Sequence, residues 1–209
     1  FMSKIRAFID LGTNTFHLLI ASIENGNSNI LFKTKEIVGL GAGGINDRII
    51  KPDAQERGLA CLLSFNQKCL ELKVEQVDAF GTSALRNAKN SDEFLKEVKA
   101  TTGFEIEIIN GAREAELIQL GISYSINQIA DPYLIMDIGG GSTEFILVKN
   151  NEIQWKRSFE VGVQRLLSTY YNEDPLPKEE YIGLNNYLTR FLSDLEELKP
   201  LGPINLIGA

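Results

Sequence analysis

Apolar and β-branched residues come in short runs at the start of the chain, over residues 5–10, 16–23 and 30–38, broken by Gly12 and by Asn25-Gly26. Asn-Gly between two such runs is the strongest local signal for a hairpin, so the opening predicts three antiparallel strands. After a glycine-rich stretch at 39–44, Pro52 suits the first turn of a helix reaching to about residue 73, with Leu59, Leu62, Leu63 and Leu70 at helical spacing. A strand is predicted over 74–80. Ser91 then caps a helix that Gly103 stops, and a strand over 104–109 leads to Asn110-Gly111 and a helix over 112–126.

At Tyr133 the opening pattern begins again. A strand over 133–137 runs into a Gly-rich turn, a second strand covers 143–148, and Asn150-Asn151 turns the chain into a third over 153–159. Helices are expected over 164–171 and 178–198, and the chain closes on an apolar run at 204–207. One hairpin unit opening each half implies a duplicated α/β fold, with halves at 1–129 and 130–209. A last strand running straight into Gly208-Ala209 makes the second half read as incomplete.

Composition fits a folded protein: 44% of the 209 residues are hydrophobic and 23% charged. The net charge of -7 argues against a general nucleic-acid surface, though a local basic lining with a metal would still admit a polyanion. Cys61 and Cys69 are too far apart along one helix to bridge, and read as two buried thiols in a reducing compartment. No apolar run reaches the roughly 20 residues of a membrane span and no signal-peptide core is present, so a cytoplasmic location is expected.

The repeated turn carries the chemistry. Its first copy is Asp10-Leu11-Gly12-Thr13-Asn14-Thr15, and its second is Asp137-Ile138-Gly139-Gly140-Gly141-Ser142, followed by Thr143 and Glu144. Glycine turns backbone N–H groups toward one point and lets a phosphate approach closely, and Ser or Thr adds a hydroxyl donor. Asp at the strand end supplies a hard oxygen for Mg²⁺. One Asp-x-Gly hairpin is a common tight turn, whereas two copies opening two halves point to phosphate. Thr13, Asn14, Thr15, Gly139, Gly140, Gly141, Ser142 and Thr143 are the candidate cradle, and Asp10 and Asp137 the candidate metal carboxylates.

Two such turns resemble the phosphate loops of the actin, sugar-kinase and Hsp70 superfamily. Within it, four segments resemble the exopolyphosphatase/guanosine pentaphosphate phosphohydrolase family: residues 9–15, Gly81-Thr82-Ser83-Ala84-Leu85-Arg86-Asn87-Ala88, Ile109-Asn110-Gly111-Ala112-Arg113-Glu114-Ala115, and residues 137–144. Ser158-Phe159-Glu160-Val161-Gly162-Val163 extends the match, and Leu206-Ile207-Gly208-Ala209 resembles the start of a further family segment. The resemblance implies ribonuclease H-like (actin-like ATPase) domains with mixed sheets flanked by helices and an active site in the cleft between them. It implies hydrolysis of the terminal phosphate of inorganic polyphosphate or guanosine pentaphosphate, Mg²⁺ dependence, and a part in the stringent response. A homodimer is within its range, and the chain leaves the oligomeric state open.

The resemblance also assigns roles. Glu114 becomes the water-activating base, in the first turn of a helix whose dipole favours its anion. Glu144 goes to the water or the metal, and Arg86 to a phosphate. Arg113 stands where the family commonly has a glutamate and would alter the local field. His17, the single His, lies in an apolar run and reads as a satisfied core or strand residue. An ATP-using kinase or ATPase of the same superfamily, and a non-catalytic polyphosphate or alarmone sensor, are the competing readings.

Overall fold

The computed structural model describes residues 4–126, 130–171, 173–201 and 204–209. By internal packing the chain forms two compact units, Phe1–Asn110 and Gly111–Ala209.

The first unit opens with β1 (Lys4–Leu11), β2 (Thr15–Glu24) and β3 (Asn27–Ile37), paired antiparallel as expected. Asn25 and Gly26 close the β2–β3 hairpin with φ of 50° and 80°, the left-handed pair such a turn requires. Helix α1 (Pro52–Glu71) has Pro52 in its first turn and then crosses to β4 (Gln76–Gly81), which lies parallel to β1. Its buried stripe is Ala54, Gly58, Leu62, Phe65 and Cys69. Of the leucines whose spacing marked the helix, Leu63 and Leu70 are exposed; the small residues Ala54 and Gly58 take the core face because α3 approaches there, with the Phe94 ring against Gly58. A short α2 (Ser83–Asn87) and α3 (Ser91–Thr102) follow, then β5 (Ile106–Ile108), shorter than its apolar run. Asn90, not Ser91, precedes α3; its amide accepts from Ile50 N at 2.9 Å and donates to Ile50 O at 2.9 Å, while the Ser91 hydroxyl turns back to Ala88 O. Gly103 ends α3 at φ 75°, as its position predicted. The sheet order is β3-β2-β1-β4-β5, over a core that includes Phe16, Leu62, Phe65 and Phe94.

The second unit repeats this wiring. Strands β6 (Tyr133–Ile138), β7 (Thr143–Lys149) and β8 (Glu152–Phe159) form the same antiparallel ladder, and β9 (Asn205–Gly208) pairs parallel to β6 as β4 does to β1. The order β8-β7-β6-β9 therefore matches β3-β2-β1-β4 strand for strand. Asn150 and Asn151, with φ of 54° and 60°, close the hairpin. Even the irregularity repeats: the ladder slips between Ile20 and Ala21 in the first hairpin and between Leu147 and Val148 in the second, at the same offset from Asp10 and Asp137.

Strand β7 is buried on both faces through Val148. One face packs with helix α4 (Gly111–Ser125) through Ala115, Tyr133, Ile135, Ile146 and Val148. The other packs through Phe145, Phe159 and Val161 against α5 (Val163–Tyr170) and α6 (Lys178–Leu192), which continues as a 3-10 helix from Ser193 to Leu201 rather than as one α-helix. Helix α4 thus belongs in space with the second unit, although it precedes the restart of the strand pattern. The restart marks where the hairpin begins; the packing changes earlier, at Gly111. Cys69 is buried and Cys61 half-buried, and burial pushes their thiols up to about 11 and about 12. No helix among the described residues is long and apolar enough to cross a membrane.

Candidate functional site

Both repeated turns fold alike. Gly12 N donates to Thr15 O at 3.1 Å and Gly139 N to Ser142 O at 2.9 Å. A Cβ on either glycine would press on the oxygen it bonds, at 2.7 Å from Thr15 O and 3.1 Å from Ser142 O. This is why the third residue of the turn is glycine in both copies.

The carbonyls of each turn are taken from one side. In the first, Gly41 N binds Thr13 O at 2.9 Å, and Val38 N and Gly39 N bind Asn14 O at 3.0 and 2.8 Å. In the second, Val163 N binds Gly139 O at 3.0 Å, Gln164 N binds Gly140 O at 2.8 Å, and the Arg165 side chain donates from Nε to Gly141 O at 2.7 Å. Glu160 Oε2 holds the same guanidinium at 2.6 Å. Since a trans peptide points its N–H opposite its C=O, fixing these carbonyls turns the N–H groups of Gly140, Gly141 and Ser142 to the other side. A nest of amides facing one way is what an anion needs. Gly162 makes this backing possible, because a Cβ there would lie 2.4 Å from Gly140 C and 2.5 Å from Gly141 N. Thr143, instead of facing a ligand, spends its hydroxyl on Val161 O.

The carboxylates gather beside the second turn. Asp137 stands opposite Glu144 in the β6–β7 ladder, and Glu144 opposite Ser158 in β7–β8. Glu144 is 1% exposed and accepts hydrogen bonds from Ser158 Oγ, at 2.7 Å, and from the Ser142 side chain. Burial, and then the charge of Glu114, push its pKa up to about 7; Asp137 adds to the rise and the two serine bonds oppose it. Asp137 is half-buried, and burial raises its pKa too. Glu114, on the first turn of α4, is thus an electrostatic partner of Glu144. Its neighbour Arg113 pairs with Glu116 at 3.1 Å, and Lys156 also reaches Glu116, at 2.6 Å.

In the first unit, Asp10, the first turn and the Thr82–Arg86 segment all lie at the carboxyl ends of the parallel strands β1 and β4. Thr13 is 4% exposed, and its hydroxyl has no hydrogen-bond partner among the described residues. Such a group costs free energy until a ligand satisfies it. Arg86 is half-buried and donates from Nη1 to Ile109 O at 3.0 Å. His17 is on a strand but exposed, not in the core: it stands opposite Asp10, on the face of β2 turned away from Phe16 and Leu18. Partial burial and then the charges of Lys35 and Lys33 lower its pKa.

No group of three His, Cys, Asp or Glu side chains among the described residues stands ready to hold a metal by itself. Burial holds the Asp137 carboxyl above its ordinary value, a cost that a cation beside it would offset. Reading the chain alone does not single out Ser158, Gly162 or Gly111, and it offers Arg165 only as a basic candidate with nothing to position it. All four lay in or beside segments that carried the family resemblance, and that clustering was the available signal.

Residues 19–208 match the model of the Ppx/GppA phosphatase family. An exopolyphosphatase from Cytophaga hutchinsonii has a solved structure that is 41% identical, with a TM-score of 0.93 over 98% of this chain and 66% of that one. A bifunctional 3-dehydroquinate synthase/phosphatase of Fusobacterium nucleatum is 35% identical over 98% of this chain and 32% of its own length. A guanosine-5'-triphosphate,3'-diphosphate pyrophosphatase of Aliivibrio fischeri is 33% identical over 86% of this chain and 36% of its own. The chain therefore spans about a third of the curated relatives it matches. Solved structures at 11% and 12% identity share the fold alone. With the doubled hairpin wiring, the twin Gly-rich turns and the match over residues 19–208, this chain belongs to the Ppx/GppA phosphatase family.

Proposed function

We propose that the protein releases the terminal phosphate of inorganic polyphosphate or guanosine pentaphosphate by hydrolysis, with the amides of residues 140–142 cradling phosphate and Glu114 activating water. The observation that carries this is Glu144. A glutamate 1% exposed, held by two serine hydroxyls beside a Gly-rich turn and raised to about pKa 7, is an expensive feature for a protein that only folds or binds. A buried carboxyl raised to about 7 by its burial and by the charge of a second glutamate suits a site where a proton leaves water.

In the first unit, Thr13, Asn14 and Thr15 offer amides and hydroxyls of their own to a phosphate, and the buried Thr13 hydroxyl has no partner among the described residues. Arg86, anchored through Nη1 on Ile109 O, is a guanidinium of the kind that suits a phosphate oxygen. A bound Mg²⁺, near Asp10 or Asp137, would neutralise charge on the transferred phosphoryl. Names borne by the relatives support the substrate class, a phosphoanhydride chain or a pyrophosphorylated guanosine.

The test is phosphate release from polyphosphate and from guanosine pentaphosphate with Mg²⁺, comparing wild type with Glu114→Gln. The variant should lose about 10²–10⁴ in kcat while retaining ligand binding. Polyphosphate and guanosine pentaphosphate left intact, with ATP turned over on addition of a small acceptor, would sink the proposal in favour of a kinase.

A further inference from the structure

Strand β8 sends two side chains toward α4, and one of them reaches into the carboxylate site. Ser158 faces Glu144 across the β7–β8 ladder and donates to Glu144 Oε1 at 2.7 Å. At 1% exposure Glu144 is cut off from bulk water, so the hydroxyls of Ser158 and Ser142 are the donors that hold its carboxylate in one orientation. Two residues earlier on β8, Lys156 Nζ binds Glu116 Oε1 at 2.6 Å and ties the strand to α4.

Ser158 is itself confined. A Cβ on Gly111, the first residue of α4, would lie 2.5 Å from Ser158 Cβ and 2.6 Å from Ser158 Oγ. The helix can come this close only because position 111 has no side chain, and the contact walls in the serine hydroxyl. Glu114 is three residues further along the same helix, within its first turn. One seam, Gly111 against Ser158, therefore touches both glutamates, one through a hydrogen bond and the other through the helix that carries it.

We infer that Ser158 is a positioning residue for the Glu144 carboxylate, that Gly111 seats it, and that this contact sets the spacing of Glu114 and Glu144. Its kinetic half rests on the proposed hydrolase activity. Its structural half does not.

The experiment compares wild type, Ser158→Ala, Gly111→Ala and the double variant, with Lys156→Met as a control for loosened packing between β8 and α4. Ser158→Ala should lower kcat on polyphosphate by about 10–100-fold with KM within about twofold, since the serine orients a reacting group and does not bind the phosphate chain. Gly111→Ala keeps the hydroxyl but displaces it, and should cause a similar loss. Because both act through one contact, the double variant should lose no more than the worse single. Lys156→Met should stay within about twofold of wild type. Full kcat in Ser158→Ala, or losses that multiply in the double variant, would overturn the inference. Crystal structures give the second readout: the Glu144 carboxylate should leave its wild-type position in Ser158→Ala, and an unmoved carboxylate would overturn the inference whatever the kinetics. A wild-type protein that releases no phosphate defeats the proposed function, while the displaced carboxylate would still establish the positioning.

Discussion

Glu144 and His17 occupy the same step of two equivalent hairpins, opposite Asp137 and Asp10 respectively. The backbone is repeated; the chemistry is not. His17 stays exposed, whereas Glu144 is walled in, and burial is the largest cause of its raised pKa. A carboxyl with a folded pKa near 7 and an unfolded one near 4.5 binds its proton more tightly when folded. Its contribution to stability is complete below the unfolded value and is lost as pH rises through the folded one. Glu144→Gln removes that loss and keeps an acceptor for the serines. It should make the protein more stable than wild type at pH 8 by up to about 3 kcal/mol, with the difference gone below about pH 4.5. Urea unfolding at the two pH values checks this, and a variant less stable at pH 8 would contradict the assignment. The charge of Glu114 is the second cause of the rise, so Glu114→Gln should shift the same pH dependence to lower pH.

Among the elements, the Gly-rich turn after β6 depends on the start of α5 more than on its own residues. Three successive carbonyls, at Gly139, Gly140 and Gly141, are held by Val163 N, Gln164 N and Arg165 Nε. In Gly162→Ala the new methyl would collide with the Gly140 backbone, which has no flexible end to yield. That variant should lose about 1–3 kcal/mol and bind pyrophosphate more weakly, because the turn must shift to admit the methyl. Calorimetry with pyrophosphate gives the test: stability lost with binding unchanged would show that α5 does not shape the turn. Arg165→Met should release Gly141 O and the Glu160 carboxylate and cost about 1–2 kcal/mol. The sequence announced both hairpins, because Asn-Gly, Asn-Asn and the Asp-x-Gly turns are local signals with local causes. The helices were legible in place but not in orientation: the buried stripe of α1 runs through Ala54 and Gly58, which no apolar count selects. Ser158 and Arg165 were illegible as site residues, since each acts on a partner 14 or 24 positions away that only the fold brings near.

At the scale of the whole chain, the two units have separate hydrophobic cores among the described residues. One core gathers Phe16, Phe65 and Phe94; the others gather Ile135 and Ile146, or Phe145 and Phe159, on the two faces of the second sheet. Cooperativity follows shared burial, so a unit with a core of its own can unfold by itself. The chain contains one tryptophan, and Trp155 packs against the second unit's core, which makes its fluorescence a reporter of that unit alone. Far-UV circular dichroism sees both sheets. The two probes should therefore give non-coincident urea transitions. Phe94→Ala, emptying a fully buried site in the first unit, should cost about 3–5 kcal/mol and move the dichroism curve while leaving the Trp155 curve in place. Ile135→Ala, at an equally buried site on β6, should cost about 2–5 kcal/mol and move the Trp155 curve. If both substitutions shifted both curves equally, the chain would unfold as one cooperative body, and the twin turns would have to be treated as parts of a single scaffold whose stability neither unit sets alone.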